Sequence, residues 1–170
     1  LMGARGNSGV ITSQILRGLC EGIADHEDFD LVAVDDAFAR AVEVAFNAVR
    51  KPVEGTILTV LRDTAAAAHK ARKKKMELDE GLQFIVGEAY ASVQRTPELL
   101  PVLKENGVVD AGGFGIAIFF DSFVASLTGR AEAMVDELAF ARTAAPKVEI
   151  EQINDWEGSK YKYCNEFLVN

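Results

Sequence analysis

The residues Gly3, Ala4, Arg5, Gly6, Asn7, Ser8 and Gly9 form the stretch of this chain best equipped for chemistry. Glycines at every third position let the backbone take positive φ and come close to a ligand. Between them Arg5, Asn7 and Ser8 supply a cation, an amide and a hydroxyl. An apolar series follows at helical spacing: Val10, Ile11, Ile15, Leu16, Leu19 and Ile23. A helix starting at Asn7 or Ser8, with either as its cap, aims unpaired N–H groups and a positive dipole end into the loop. That arrangement suits an anion, above all a phosphate. No Lys-Ser or Lys-Thr pair follows the last glycine and no strand precedes the loop, so neither standard nucleotide fingerprint is present. The alternative reading is a glycine-rich helix start with a polar cap.

Two further junctions share this character. Val53-Glu54-Gly55-Thr56 leads into an apolar stripe of Ile57, Val60, Leu61, Thr64, Ala68 and Ala71, with Thr56 as a fair cap. Asp110-Ala111-Gly112-Gly113 precedes a segment, 116–127, that is apolar almost all round. An antiparallel bundle places alternate helix N-termini at one end. Gathered there, these junctions make a rim of backbone donors suited to a nucleotide triphosphate. Read without a ligand, the same glycines are caps and close-packing points.

The elements that must position these junctions are helices. The spacing predicts a first helix over 8–24 and a second from Asp35 or Asp36, as cap, to about Arg50. A third follows Thr56, a fourth covers 79–94, and Thr96-Pro97-Glu98 reads as the start of a short one over 97–104. A last helix without a polar face must be central to the core. His26 reads as a solvated loop residue, and Arg72-Lys73-Lys74-Lys75 as a solvated helix terminus. Residues 147–151 alternate and 161–169 are aromatic and β-branched, so both read as strands. The expected architecture is an all-α antiparallel bundle over 1–129, a linker over 130–146 and the beginning of a second, β-containing domain over 147–170. Leu1 at the start and a strand broken at Asn170 lead us to expect a piece of a longer protein.

Composition bounds the class. With 49% apolar residues and four prolines among 170, the chain is globular. The longest apolar run, 116–120, is far short of a membrane span, so no integral membrane protein is expected. A net charge of −8 disfavours nucleic-acid binding. Cys20 and Cys164 are the only cysteines and lie far apart, which fits a reducing cytoplasm.

The motifs GARGNSG, KPVEGTILTV and LPVLKENGVVDAGG, in this order, resemble the nucleotide-binding domain of bacterial fatty acid kinase, itself similar to the DhaL-type (DAK2) subunit of dihydroxyacetone kinases. The likeness covers about residues 1–128, and Tyr163-Cys164-Asn165-Glu166-Phe167 resembles the opening of that family's middle domain. The resemblance implies an incomplete helical barrel with ATP across one end. On it Gly6, Asn7, Ser8 and Gly9 hold phosphates, Thr56 lies beside the nucleotide, and Ile57 and Leu58 offer adenine an apolar face. Asp110, Gly112 and Gly113 close a loop over the base or ribose. Arg5 either stabilises phosphoryl charge or braces the loop in a salt bridge. The family's Asp-Gly-Asp-Thr-Gly motif, which holds two magnesium ions, is not in this chain and on the resemblance lies upstream of Leu1. The fragment alone is therefore expected to be inactive, with part of its apolar interior exposed and a tendency to homo-oligomerise. Cys164 is either a zinc ligand completed elsewhere in the middle domain or a small buried residue. The implied partner is an acyl-binding protein carrying a fatty acid, the phosphoryl acceptor. A dihydroxyacetone-type acceptor and a non-enzymatic helical interaction domain are the competing readings.

Overall fold

A computed structural model describes residues 3–130. The linker beyond Arg130, the strands expected over 147–151 and 161–169, and Cys164 lie outside the described residues. Within them the chain forms α1 (Gly6–Ile23), α2 (Leu31–Asn47), α3 (Ile57–Lys73), α4 (Leu78–Leu99), α5 (Pro101–Glu105) and α6 (Ala111–Thr128), and no strand. The five long helices pack around one core that includes Ile15, Val34, Leu61, Ile85, Val93 and Phe120.

Small residues set the closest helix contact. A Cβ at Gly18 would fall on Ala41 Cα, and one at Gly22 would come within 2.6 Å of Ala37 Cα. The pairing runs in opposite directions along α1 and α2, so the two are antiparallel and nearly touch backbone to backbone. α2 begins about a turn and a half earlier than the Asp35–Asp36 cap expected from sequence. Asp30 is the cap, accepting from Val32 N and Ala33 N at 2.9 Å. Asp35 is instead buried inside the helix, 3.0 Å from His69 Nδ1 and 3.1 Å from Arg72 on α3. Asp36 meets Arg72 at 3.3 Å and His26 Nε2 at 3.1 Å, so neither His26 nor Arg72 is merely solvated.

Pro97 does not start a helix, contrary to the sequence expectation. α4 runs through it to Leu99, and Pro101 opens α5 instead. Proline in a helix leaves the carbonyl four residues back without its donor. Here the Thr96 hydroxyl donates to Val93 O at 2.7 Å and fills that gap.

α6 ends at Gly129, whose φ of 68° closes the helix in the left-handed conformation. It is long and apolar enough to cross a membrane by length and composition, with mean hydropathy 1.5 over Ala111–Thr128, although its unbroken apolar run is only 116–120. In the bundle it lies against α3 and α4 with Ile116, Ala117, Phe120 and Val124 buried. Asp121, fully buried in the same helix, accepts from Tyr90 Oη at 2.9 Å and Arg130 at 2.8 Å. Burial, with this hydrogen bond, raises the Tyr90 pKa above its ordinary value. α6 is not buried all round, however. Its neighbours occupy one side, and Phe119, Phe123 and Leu127 remain 44%, 49% and 51% exposed on the other. Phe119 and Phe123 border an apolar cleft of about 190 Å³ between α6 and α1, reached by Leu16, Leu19 and Cys20.

The contact at Gly18 carries a stability prediction. Gly18→Ala should lower unfolding stability by about 2 kcal/mol, because the opposing backbone cannot move aside as a side chain can. Gly87 lies exposed on α4 with nothing within 4 Å of an added Cβ, so Gly87→Ala should raise stability by about 0.5–1 kcal/mol. Denaturant titration of both variants measures the contrast.

Candidate functional site

The bundle brings three helix starts to one end. α1 is antiparallel to α2, and α2 to α3, since the N-terminal part of α2 at Asp35 meets the C-terminal part of α3 at His69. α1 and α3 therefore begin at the same end. α6 starts beside α3: a Cβ at Gly112 would lie 3.4 Å from Ile57 Cβ, and one at Gly113 only 2.7 Å from Val60 Cγ2. The bare α-carbon of Gly113 is what lets the start of α6 seat on the first turn of α3.

The three starts differ in how their amides are used. Asp110 caps α6, its Oδ2 accepting from Gly113 N at 2.6 Å. α1 has Arg5 at the cap position in extended backbone, with no capping side chain and no acid in its first turn. Asn7 and Ser8 are thus inside the first turn of α1 rather than caps, as the sequence had suggested, and Gly6, at φ 71°, makes the bend that starts the helix. Thr56 does hold the cap position of α3, but its hydroxyl donates to Val53 O at 2.7 Å and caps nothing. α3 also lacks an acid in its first turn. By contrast α2 has Asp30 as its cap, and α4 has Asp79 and Glu80 in its first turn. The two uncompensated starts among the long helices, α1 and α3, share one end. Unpaired amides and the positive dipole end make that end receptive to anions.

Access differs among the residues expected to line the site. Arg5, Gly6, Asn7 and Ser8 are exposed, while Gly9, Thr56, Asp110 and Gly112 are half-buried and Gly113 is buried. Arg5 makes no ion pair among the described residues. An open groove along α1 is lined by Gly3, Ala4, Ser8, Gly9 and Thr12. Ile57 and Leu58 depart from expectation. They are 5% and 2% exposed and belong to the core, so their side chains offer no free face to a base; only their amides point outward from the helix start. Exposed apolar side chains at this end include Val10, Val53, Leu99, Val102 and Val108. No three His, Cys, Asp or Glu side chains gather in a metal-binding group among the described residues.

Residues not expected to line the site hold its loops. Gly55, at φ 77°, lies so close to the end of α4 that a Cβ would come 2.7 Å from Leu100 Cβ and 2.9 Å from Thr96 O. Its N–H donates to Thr59 Oγ1 at 2.9 Å, and that hydroxyl donates to Glu54 Oε2 at 2.8 Å. Glu54 is also bound by the Arg62 guanidinium. The hydrogen bond from Arg62, then that from Thr59, lowers the Glu54 pKa. On the other side Asp110 N donates to Thr96 Oγ1 at 3.0 Å. The available sequence signal was modest: a threonine immediately before Pro97, and another four residues after Gly55.

A family model described as DAK2 domain matches residues 1–125. An uncharacterized protein of Staphylococcus haemolyticus is 41% identical over 170 residues, which is 99% of this chain and 31% of the relative. An uncharacterized protein of Staphylococcus aureus matches at 41% identity with the same coverage. The chain thus spans about a third of the length of these relatives.

Glu54 yields a pH prediction. Its folded pKa lies below the ordinary 4.5, so its pairing stabilises the fold above that value and is lost as pH falls through the lowered one. Stability of wild type minus that of Glu54→Gln should therefore shrink in acid below pH 4.5. The whole difference should be under about 1 kcal/mol, since the pair is half exposed, and should weaken with added salt. Denaturant midpoints taken across the acid range measure it.

Proposed function

The chain belongs to the DAK2 domain family, which comprises dihydroxyacetone-kinase-like subunits, and on that premise we propose that it is the nucleotide-binding part of an ATP-dependent phosphotransferase. The observation that supports this most is the pair of uncompensated helix starts, α1 and α3, at one end of the bundle. Phosphoryl transfer is catalysed mainly by positioning and charge neutralisation, and a rim of amides contributes both. On this reading the amides of the first turn of α1, with the side chains of Asn7 and Ser8, bind phosphate oxygens, and Gly6 and Gly9 leave room for them. Thr56 and the amides of Ile57 and Leu58 bind alongside. Asp110, Gly112 and Gly113 form the wall over the base or ribose. Arg5, exposed and without an ion pair among the described residues, stabilises charge on the transferring group.

Magnesium, when bound, neutralises charge on the β- and γ-phosphates. No described cluster fits it, and we place its ligands outside residues 3–130. We propose a fatty acid carboxylate, presented by an acyl-binding partner, as the acceptor. The support is the resemblance of the three ordered motifs to the nucleotide-binding domain of fatty acid kinase; the junctions themselves serve either acceptor. A dihydroxyacetone-type acceptor is the second reading, favoured by the family match itself. A coupled assay on the intact protein with each acceptor separates the two.

The nucleotide reading is tested first. Millimolar ATP with magnesium should raise the Tm of the intact protein, because a ligand that binds only the native state stabilises it. Ser8 is exposed, so Ser8→Trp should leave the ligand-free Tm unchanged. It should weaken ATP binding by at least about tenfold, the loss of one phosphate hydrogen bond plus crowding. Unchanged affinity in Ser8→Trp would remove the site from this loop.

A further inference from the structure

Thr96 is fully buried in the last part of α4, on the opposite side of the loops from solvent, and touches both of them. Its hydroxyl has one hydrogen and that hydrogen is committed. Pro97 has no N–H, so Val93 O would otherwise lack its helical donor, and Thr96 Oγ1 supplies it at 2.7 Å. The lone pairs are thereby turned away from α4, and one accepts the N–H of Asp110 at 3.0 Å. The carbonyl of the same residue accepts from Leu100 N at 3.0 Å and forms the surface on which Gly55 rests. One residue therefore fixes the 53–56 loop through its backbone and the cap of α6 through its side chain.

We propose that Thr96 is a positioning residue: with its backbone against Gly55 and its hydroxyl holding Asp110 N, it sets the spacing between the start of α3 and the start of α6, and so the width of the phosphate-binding end. The proposal rests on the nucleotide reading of that end. Asp110 is held at two points, by its N–H on Thr96 and by its carboxylate on Gly113 N, so its backbone cannot shift without breaking the cap. Loss of the Thr96 acceptor leaves a half-buried amide unpaired and lets the 107–110 segment drift from Gly55.

The test needs a variant that keeps α4 intact. Thr96→Val alone strips Val93 O as well as Asp110 N and risks unfolding. The double variant Thr96→Val/Pro97→Ala restores an N–H to Val93 O and removes only the acceptor for Asp110. Made in the intact protein, it should keep a Tm near wild type. Without nucleotide, amide hydrogen exchange should speed up at 107–110 but not at 53–56, which rests on the Thr96 backbone and on Thr59, nor in α1 or α2. Binding of a non-hydrolysable ATP analogue with magnesium should weaken by about tenfold, as expected for one lost buried hydrogen bond. Thr96→Ser, which keeps the hydroxyl, should behave as wild type in both measurements. Unchanged exchange at Asp110 in the double variant, or equal loss in Thr96→Ser, overturns the proposal. A wild-type protein that binds no analogue instead defeats the nucleotide reading; the exchange comparison then still decides whether Thr96 holds the loops.

Discussion

An α-helix cannot pair its first amide hydrogens with its own carbonyls, and everything distinctive about this bundle follows from where those ends lie and what meets them. Chain reversal alternates the ends, so α1 and α3 start together, and α6 starts beside α3 because Gly113 admits Val60. At the other end, α2 and α4 carry Asp30 or Asp79 and Glu80 against the positive dipole. At the glycine-rich end, the carboxylates that could do the same for α3 are used elsewhere: Glu54 is held by Arg62 and Thr59, and Asp110 serves α6. The molecule thus concentrates uncompensated donors on one face, and a bound anion supplies the missing partner.

Such a face is useful only if it is stiff. A loop that must reorganise to meet its ligand loses part of the binding energy in ordering itself. The 53–56 loop is anchored by Gly55 N on Thr59 and by the contact of its α-carbon with the end of α4. The 107–110 segment is anchored on Thr96. Both anchors are hydroxyls buried beneath the loops, where water does not compete. The same helix that would break at Pro97 in isolation is continued by one of these hydroxyls, so the end of α4 and the width of the site share one hydrogen-bond system.

The helices with strong local signals were legible in the sequence. The stripe from Ile57 to Ala71, the apolar spacing of α1 and the glycines at the three junctions are local patterns, and the structure has a helix behind each. What escaped depended on residues far along the chain. Four aspartates lie between 28 and 36, and the choice of Asp30 as cap follows from Asp35 and Asp36 being drawn to His69 and Arg72 on α3. Pro97 looked like a helix start because its remedy depends on how the neighbouring hydroxyl turns, not on composition. α6 looked central because all its faces are apolar, but only one side has neighbours, and Phe119 and Phe123 face the open cleft. In the site the positions were visible and the roles of individual atoms were not: Ile57 and Leu58 are core residues whose amides, not side chains, face the junction.

The central claim is that separated helix starts act as one anion receptor. A crystal structure of the intact protein with a magnesium-bound, non-hydrolysable ATP analogue tests it most directly. The account predicts phosphate oxygens within hydrogen-bonding distance of first-turn amides of both α1, at Asn7 or Ser8, and α3, at Ile57 or Leu58. An analogue whose phosphates touch only one of these starts, or lie elsewhere on the bundle, would contradict it.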